Sequence, residues 1–281
     1  MAGHHERASG GPGYFDADST LRRVIGERVV ALSGPRALLM QAAHPLAVEG
    51  LLAHSSALDE PYERLQRTAE VMNAVGFGTR QDADRATRRV RAMHGRVSGE
   101  LEEAVGPYPA GTPYRADDPE LLLWVLFTLI DSAELVYRRY VADLNREERE
   151  ALWADYRVVG RLFGLADADM PADLDQLEAY RREMLDGDRL HVSEWAKRRA
   201  REIVLEPPVP IYLQPLLTTV NFITAALLPD RIREGYGFAP LPPMPVRRAA
   251  VAAGAEYTKR LLLPLTPDRL RRIPQVRGAA A

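Results

Sequence analysis

The sequence predicts an all-α protein, folded as a single globular domain of many helices, and three observations indicate this class. Helix-capping residues recur before apolar segments, apolar residues repeat at spacings of three and four, and no alternating run is long enough for a sheet. The 281 residues are 46% hydrophobic, which suits one large core. We therefore predict a disordered N-terminal leader over residues 1–19 and a single all-α domain over residues 20–281.

In the first half of the chain we predict helices over residues 33–43, 45–54, 59–76 and 83–104. Pro45 separates the first two, because proline lacks a backbone N–H and collides with the preceding helical turn. The fourth carries apolar residues at spacings of three and four, which is typical of an amphipathic helix.

The second half begins with the helix that we expect to be central. Asp118 and Pro119 open it, and residues 121–130 are apolar on every side, which indicates burial all round. Further helices are predicted after the capping residues Asn145, Asp173 and Ser193, and near residues 216–228 and 246–263.

Composition excludes several classes of protein. The 37 basic and 39 acidic residues give a net charge of −2, which argues against a strongly basic nucleic-acid-binding protein. Without cysteine there is no disulfide framework, zinc–thiolate site, iron–sulfur cluster or covalently attached haem.

The N-terminus lacks a signal-peptide apolar stretch, and prolines interrupt the charge-free segment 207–229. We expect a cytoplasmic protein with no transmembrane segment.

Common enzyme motifs are absent, among them phosphate-binding, dinucleotide-binding, zinc-protease and serine-hydrolase signatures. Histidine is scarce, and His94 is the most informative because it continues the apolar stripe of Val90 and Val97. From position alone we interpret it as a core histidine hydrogen-bonded to a carbonyl. Gly95 and Ser98 beside it leave room for a flat ligand.

Arg64, Arg67 and Thr68 share one helix face, where two guanidinium groups would suit paired carboxylates such as haem propionates. The alternative is a solvated face that forms surface ion pairs. Glu49 lies in a mostly apolar context, so burial would raise its pKa and allow it to act as a general base. A helix that exposes this carboxylate to water is the alternative.

Several segments, taken together and in order, resemble the oxygenase family that includes mpaB and the latex-clearing rubber oxygenases. Each segment is short, but the ordered set covers most of the chain. The segments are Leu39 to Gly50, His54-Ser55, Arg64 to Thr68, Val90 to Gly99, Trp124-Val125, Leu228 to Arg233 and Tyr236-Gly237.

The resemblance implies an all-α, partly globin-like core that binds haem b, with His94 as the axial iron ligand and with Arg64 and Thr68 near the haem. Two positions depart from the family pattern. Arg67 stands where rubber oxygenases can have an iron-binding lysine, and an arginine side chain stays protonated and offers no lone pair. Leu126 stands where many relatives have a histidine.

The leading hypothesis is a haem b-dependent oxidoreductase, an oxygenase that acts with O₂ on an apolar small molecule. His94 would bind the iron, Arg64 and Arg67 the propionates, with Thr68 nearby, and Glu49 would act as a base. The alternatives are a non-catalytic haem carrier or sensor, and a cofactor-free helical protein in which His94 is an ordinary core residue.

Overall fold

Helices form 70% of the described residues and strands 4% in a computed structural model of the chain. The structure describes residues 12–52, 61–200, 212, 214–238 and 243–277. Because an average globular protein has about a fifth or more of its residues in strands, this content confirms the predicted all-α class.

The α-helices of the described chain follow one another through short connections. They are α1 (Thr20–Ile25), α2 (Ser33–Gln41), α3 (Pro45–Leu52), α4 (Pro61–Phe77), α5 (Arg80–His94), α6 (Pro119–Tyr140), α7 (Arg146–Phe163), α8 (Leu174–Asp186), α9 (Glu194–Ala200), α10 (Gln214–Leu227), α11 (Asp230–Gly235), α12 (Met244–Tyr257), α13 (Leu263–Leu265), α14 (Asp268–Arg271) and α15 (Pro274–Arg277). Two 3₁₀ helices (Arg28–Leu32 and Asp167–Asp169) and one π-helical turn (Thr258–Leu262) complete the helical structure.

The core is built around α6. Asp118 caps this helix by accepting a hydrogen bond from the backbone N–H of Glu120 at 2.8 Å, as the sequence predicts. Most of its residues are buried, and α1, α2, α7 and α12 pack around it. One cluster of buried apolar side chains extends from Phe15 to Ala255, which is the single core expected of this fold class.

Local signals place several helix ends correctly. Helix α2 ends at Gln41 and helix α3 begins at Pro45, as the proline predicts. Asn145 forms a capping box with Glu148, and Asp173 caps α8. The side chain of Ser193 accepts a hydrogen bond from the backbone N–H of Ala196 at the start of α9.

Among the described residues, every helix is too short or too polar to cross a membrane.

The packed part of the chain begins before the predicted boundary at residue 20. Phe15 is 5% exposed and belongs to the core, and the hydroxyl of Tyr14 donates a hydrogen bond to Asp84 at 2.7 Å. Two aromatic side chains therefore attach the segment before α1 to the protein. Residues 1–11 of the predicted leader lie outside the described residues.

The prediction of one helix over residues 83–104 is wrong in its second half. The helix ends at His94, and the chain continues into two short antiparallel strands, β1 (Ser98–Glu100) and β2 (Pro113–Arg115). Gly95 and Gly99 favour helix poorly, and the backbone of residues 98–100 forms cross-strand hydrogen bonds instead. Met93, which lies at the same three- and four-residue spacing as the other apolar residues of this segment, is 55% exposed.

Candidate functional site

His94 is the last residue of α5, where the helix gives way to the β1–β2 hairpin. Its side chain is half-buried overall, while its Nδ1 atom is buried. The carboxylate of Asp117 lies close by, 3.9 Å from the position that a Cβ on Gly95 would occupy. Arg115 holds that carboxylate through hydrogen bonds of 2.9 and 3.0 Å, which lower the pKa of Asp117. Because Nδ1 is buried, this edge of the His94 ring faces the protein, and the exposed part of the residue consists of other atoms.

Helices α4 and α5 form a hairpin that determines which residues lie beside His94. Only Gly78 and Thr79 separate the two helices, and Thr79 caps α5. Arg64 precedes this turn by fourteen residues and His94 follows it by fifteen. Because an α-helix rises 1.5 Å per residue, the backbone of Arg64 lies at about the level of His94.

The other predicted residues of α4 lie about one turn closer to the connection. Arg67 and Thr68 have exposed side chains. The side chain of Arg64 and all of His54 lie outside the described residues. The structure thus brings position 64 level with His94 and places Arg67 and Thr68 on an exposed part of the same helix.

The β1–β2 hairpin connects His94 to the helix that carries Glu49. The backbone N–H of Val97 donates to the carbonyl of His94 at 2.9 Å, and β1 starts at the next residue. Strand β2 packs against α3, which contains Glu49. His94 and Glu49, which are 45 residues apart in sequence, therefore lie in one region of the structure.

Glu49 is half-buried in a negatively charged setting. Burial raises the pKa of its carboxyl group, and the nearby carboxylates of Glu102 and Glu103 raise it further. Tyr114 on β2 shares this environment, because burial, Glu49 and Glu102 all raise the pKa of its hydroxyl. A carboxyl group with a raised pKa holds a proton closer to neutral pH, as a general acid or base requires.

Glycine at position 99 is required by the approach of Tyr114. The two residues are paired across the hairpin, and a Cβ on Gly99 would lie 2.5 Å from the hydroxyl oxygen of Tyr114. Any larger residue at position 99 would displace the ring of Tyr114. This ring is 7% exposed and lies near enough to Glu49 for the carboxylate to raise the pKa of its hydroxyl.

Tyr114 also lines a cavity of about 360 Å³. It lies between the start of α3, the hairpin, the start of α6 and the loop after α8. Six of the residues that line it are His44, Leu46, Tyr108, Tyr114, Asp118 and Arg189.

The deepest polar group at this cavity is the imidazole of His44, which is 1% exposed. Its Nε2 atom lies 3.4 Å from the hydroxyl of Tyr108, and its buried Nδ1 atom has no hydrogen-bond partner among the described residues. Burial, followed by the charge of Arg189, lowers the pKa of His44 to about 4. The ring is therefore neutral at pH 7.

A tight turn directs Tyr108 toward His44. Val105 and Tyr108 exchange backbone hydrogen bonds of 2.9 and 3.1 Å around Gly106, which has a φ of +57°. A side chain at this position would be strained and would also collide with the ring of His191. The backbone N–H of His191 donates to the carbonyl of Ala43 at 2.8 Å. This hydrogen bond holds the loop that contains His191 next to His44.

Sequence reasoning did not identify Tyr108, Tyr114 or the role of His44 in this region. In the sequence, His44 only precedes the helix-breaking Pro45, and the two tyrosines lie in a segment without a motif. The turn-forming pair Gly106-Pro107 and the paired glycine and tyrosine of the hairpin are the signals that sequence offers for them.

One comparison with known proteins gives a match. Residues 22–260 match the family described as ER-bound oxygenase mpaB/B'/Rubber oxygenase, catalytic domain. A comparison with curated proteins and one with solved structures find no match.

Proposed function

This chain belongs to the family of the mpaB and rubber oxygenase catalytic domain, and from that premise we propose that it is a haem b-dependent oxygenase of apolar small molecules. The observation that carries the proposal is the setting of His94. The histidine ends α5 with its Nδ1 atom buried, at the level of an arginine on the neighbouring helix.

The donor set of this region fits haem b. His94 would bind the iron through Nε2, and its buried Nδ1 would be the nitrogen that the protein orients, as is usual for metal-binding histidines. Arg64 would pair with a propionate, with Arg67 and Thr68 about one helical turn away. Haem b is held by coordination and burial, so a chain without cysteine can retain it.

Haem, when bound, would supply the activation of O₂, and the protein would provide orientation, polarity and proton transfer. Glu49 would accept a proton from the substrate at its carboxylate, because burial and two neighbouring acids keep its pKa raised. A guanidinium group has no lone pair to offer a metal, so Arg67 would contribute charge and hydrogen bonds and would leave the iron to other ligands.

Replacing His94 with alanine is expected to abolish stoichiometric haem binding. Protein purified from haem-supplemented cells should show a Soret band in the wild type, and this band should be lost or altered in His94→Ala. The matched control is His191→Ala, because His191 is exposed and lies in the loop between α8 and α9, away from the end of α5. A His94→Gly variant should regain a coordinated spectrum when imidazole is added.

An unchanged haem spectrum at equal stoichiometry in His94→Ala would show that another residue binds the iron. Haem binding without oxygen uptake, tested with the reduced protein and a panel of apolar substrates, would instead indicate a carrier or sensor. Wild-type protein that binds no haem would leave the cofactor-free alternative, with His94 as a core residue.

Replacing Glu49 with glutamine is expected to lower oxygen uptake by about 10²-fold while haem content stays unchanged, because the amide cannot accept the proton. The control is Glu102→Gln, which removes one charge that raises the pKa of Glu49. A base acts when deprotonated, so this control should keep the maximal rate and move the acidic limb of the pH–rate profile to lower pH. Wild-type turnover in Glu49→Gln would exclude Glu49 as the base.

A further inference from the structure

The C-terminal helices carry a group of large apolar side chains that the core does not cover. We call this group the C-terminal apolar face, and its members are Tyr257, Leu261, Leu262, Leu265 and Leu270. Leu265 is 81% exposed and Leu270 is 62% exposed. Monomeric proteins seldom expose several such residues within one short segment unless the surface binds something.

This apolar face lies on the outer side of its helices, because other residues make the inward contacts. Val251 and Ala255 of α12 are buried in the core, and Leu263 packs against it. The π-helical turn lies between them, and Leu263 donates its backbone N–H to the carbonyl of Thr258. The wider turn precedes Pro264 and leaves Leu261 and Leu262 both exposed.

The segment that carries these apolar side chains is positively charged. Residues 256–277 contain six basic and two acidic residues, a net charge of +4 in a chain whose net charge is −2. Asp143 pairs with Lys259 at 3.1 Å, and Glu27 pairs with Arg271 at 2.8 Å. The segment keeps a positive balance after both pairs are counted, and Arg269 is exposed.

We propose that the C-terminal apolar face docks on the surface of a bilayer that contains anionic phospholipids. Leucine and tyrosine side chains would enter the headgroup boundary, and the arginines would contact lipid phosphates, as in other interfacial segments. A symmetric contact with a second copy would instead bring two positively charged segments together. The inference is independent of haem binding.

The test is co-sedimentation of the purified full-length protein with vesicles of phosphatidylcholine, with and without phosphatidylglycerol. We expect binding to the anionic vesicles that weakens as salt is raised, because salt screens the attraction. The double variant Leu261→Gln/Leu265→Gln should bind at least about tenfold more weakly. Arg269→Gln should bind roughly fivefold more weakly, since one charge near the surface is lost.

The matched control is Met93→Gln, because Met93 is also exposed but lies beyond the opposite end of α6. Lys259 contacts Arg138 near the C-terminal end of this helix, 19 residues after Pro119, so about 29 Å of helix separates the two regions. Met93→Gln should bind vesicles like the wild type. Circular dichroism and thermal unfolding would show that these surface variants keep the fold.

Two results would overturn the proposal. One is that the protein fails to bind anionic vesicles, or binds them equally well in the leucine double variant. The other is that sedimentation velocity shows a dimer that Leu261→Gln/Leu265→Gln dissociates, because a second copy would then cover the face.

Discussion

Replacing Arg36 with alanine is expected to destabilise the protein by about 3–5 kcal/mol, because it leaves a carboxylate without its buried partner. Arg36 is 1% exposed. Its guanidinium group pairs with Asp131 at 2.7 Å and donates to the hydroxyl of Ser132 at 2.6 Å and to the carbonyl of Leu227 at 2.8 Å. One side chain thereby joins α2, α6 and α10.

Urea unfolding at pH 7 measures this loss, and Arg181 provides the control. Arg181 pairs with the same Asp131 at 3.0 Å, but its side chain is 48% exposed, so Arg181→Ala should cost less than about 1 kcal/mol. The double variant Arg36→Met/Asp131→Leu should recover much of the loss, since it removes both charges and fills the space. Equal losses for Arg36→Ala and Arg181→Ala would show that burial does not set the strength of the Asp131 pairs.

The stability of the wild type is expected to fall by about 3 kcal/mol between pH 7 and pH 4 through His44 alone. Burial lowers the pKa of this histidine from 6.5 in the unfolded chain to about 4 in the folded protein. Between these values the unfolded chain binds the proton and the folded protein does not, so stability decreases as the pH falls. Below pH 4 both states are protonated, and the contribution of His44 no longer changes.

The measurement is the free energy of unfolding in urea at several values between pH 7 and pH 4. His44→Gln should show a decline smaller than that of the wild type by about 3 kcal/mol, because glutamine does not titrate. His191→Gln, which removes an exposed histidine, should keep the wild-type decline. Parallel curves for His44→Gln and the wild type would contradict the low pKa of His44.

The family pattern in the sequence names candidate residues for the proposed site, and these assignments stay predictions. Contacts that span the chain are visible only in the structure. His94 follows from an ordered set of segments, and position 64 from the same pattern. Tyr114 could not be foreseen, because its place beside Glu49 depends on how β2 packs against α3. The end of α5 at His94 also depended on pairing, since residues 98–100 form a strand only with residues 113–115 present.

The sequence by itself determined the helical class, the central helix α6, the break at Pro45 and the caps at Asn145 and Ser193. These features depend on side chains within about four residues, so their signals are local. The tertiary structure alone decided the buried ion pair of Arg36 and the low pKa of His44. Arg36 and Leu227 are 191 residues apart, and His44 and Arg189, whose charge adds to the effect of burial on that pKa, are 145 apart. Burial and charge pairing at such separations arise from packing, which no local pattern specifies.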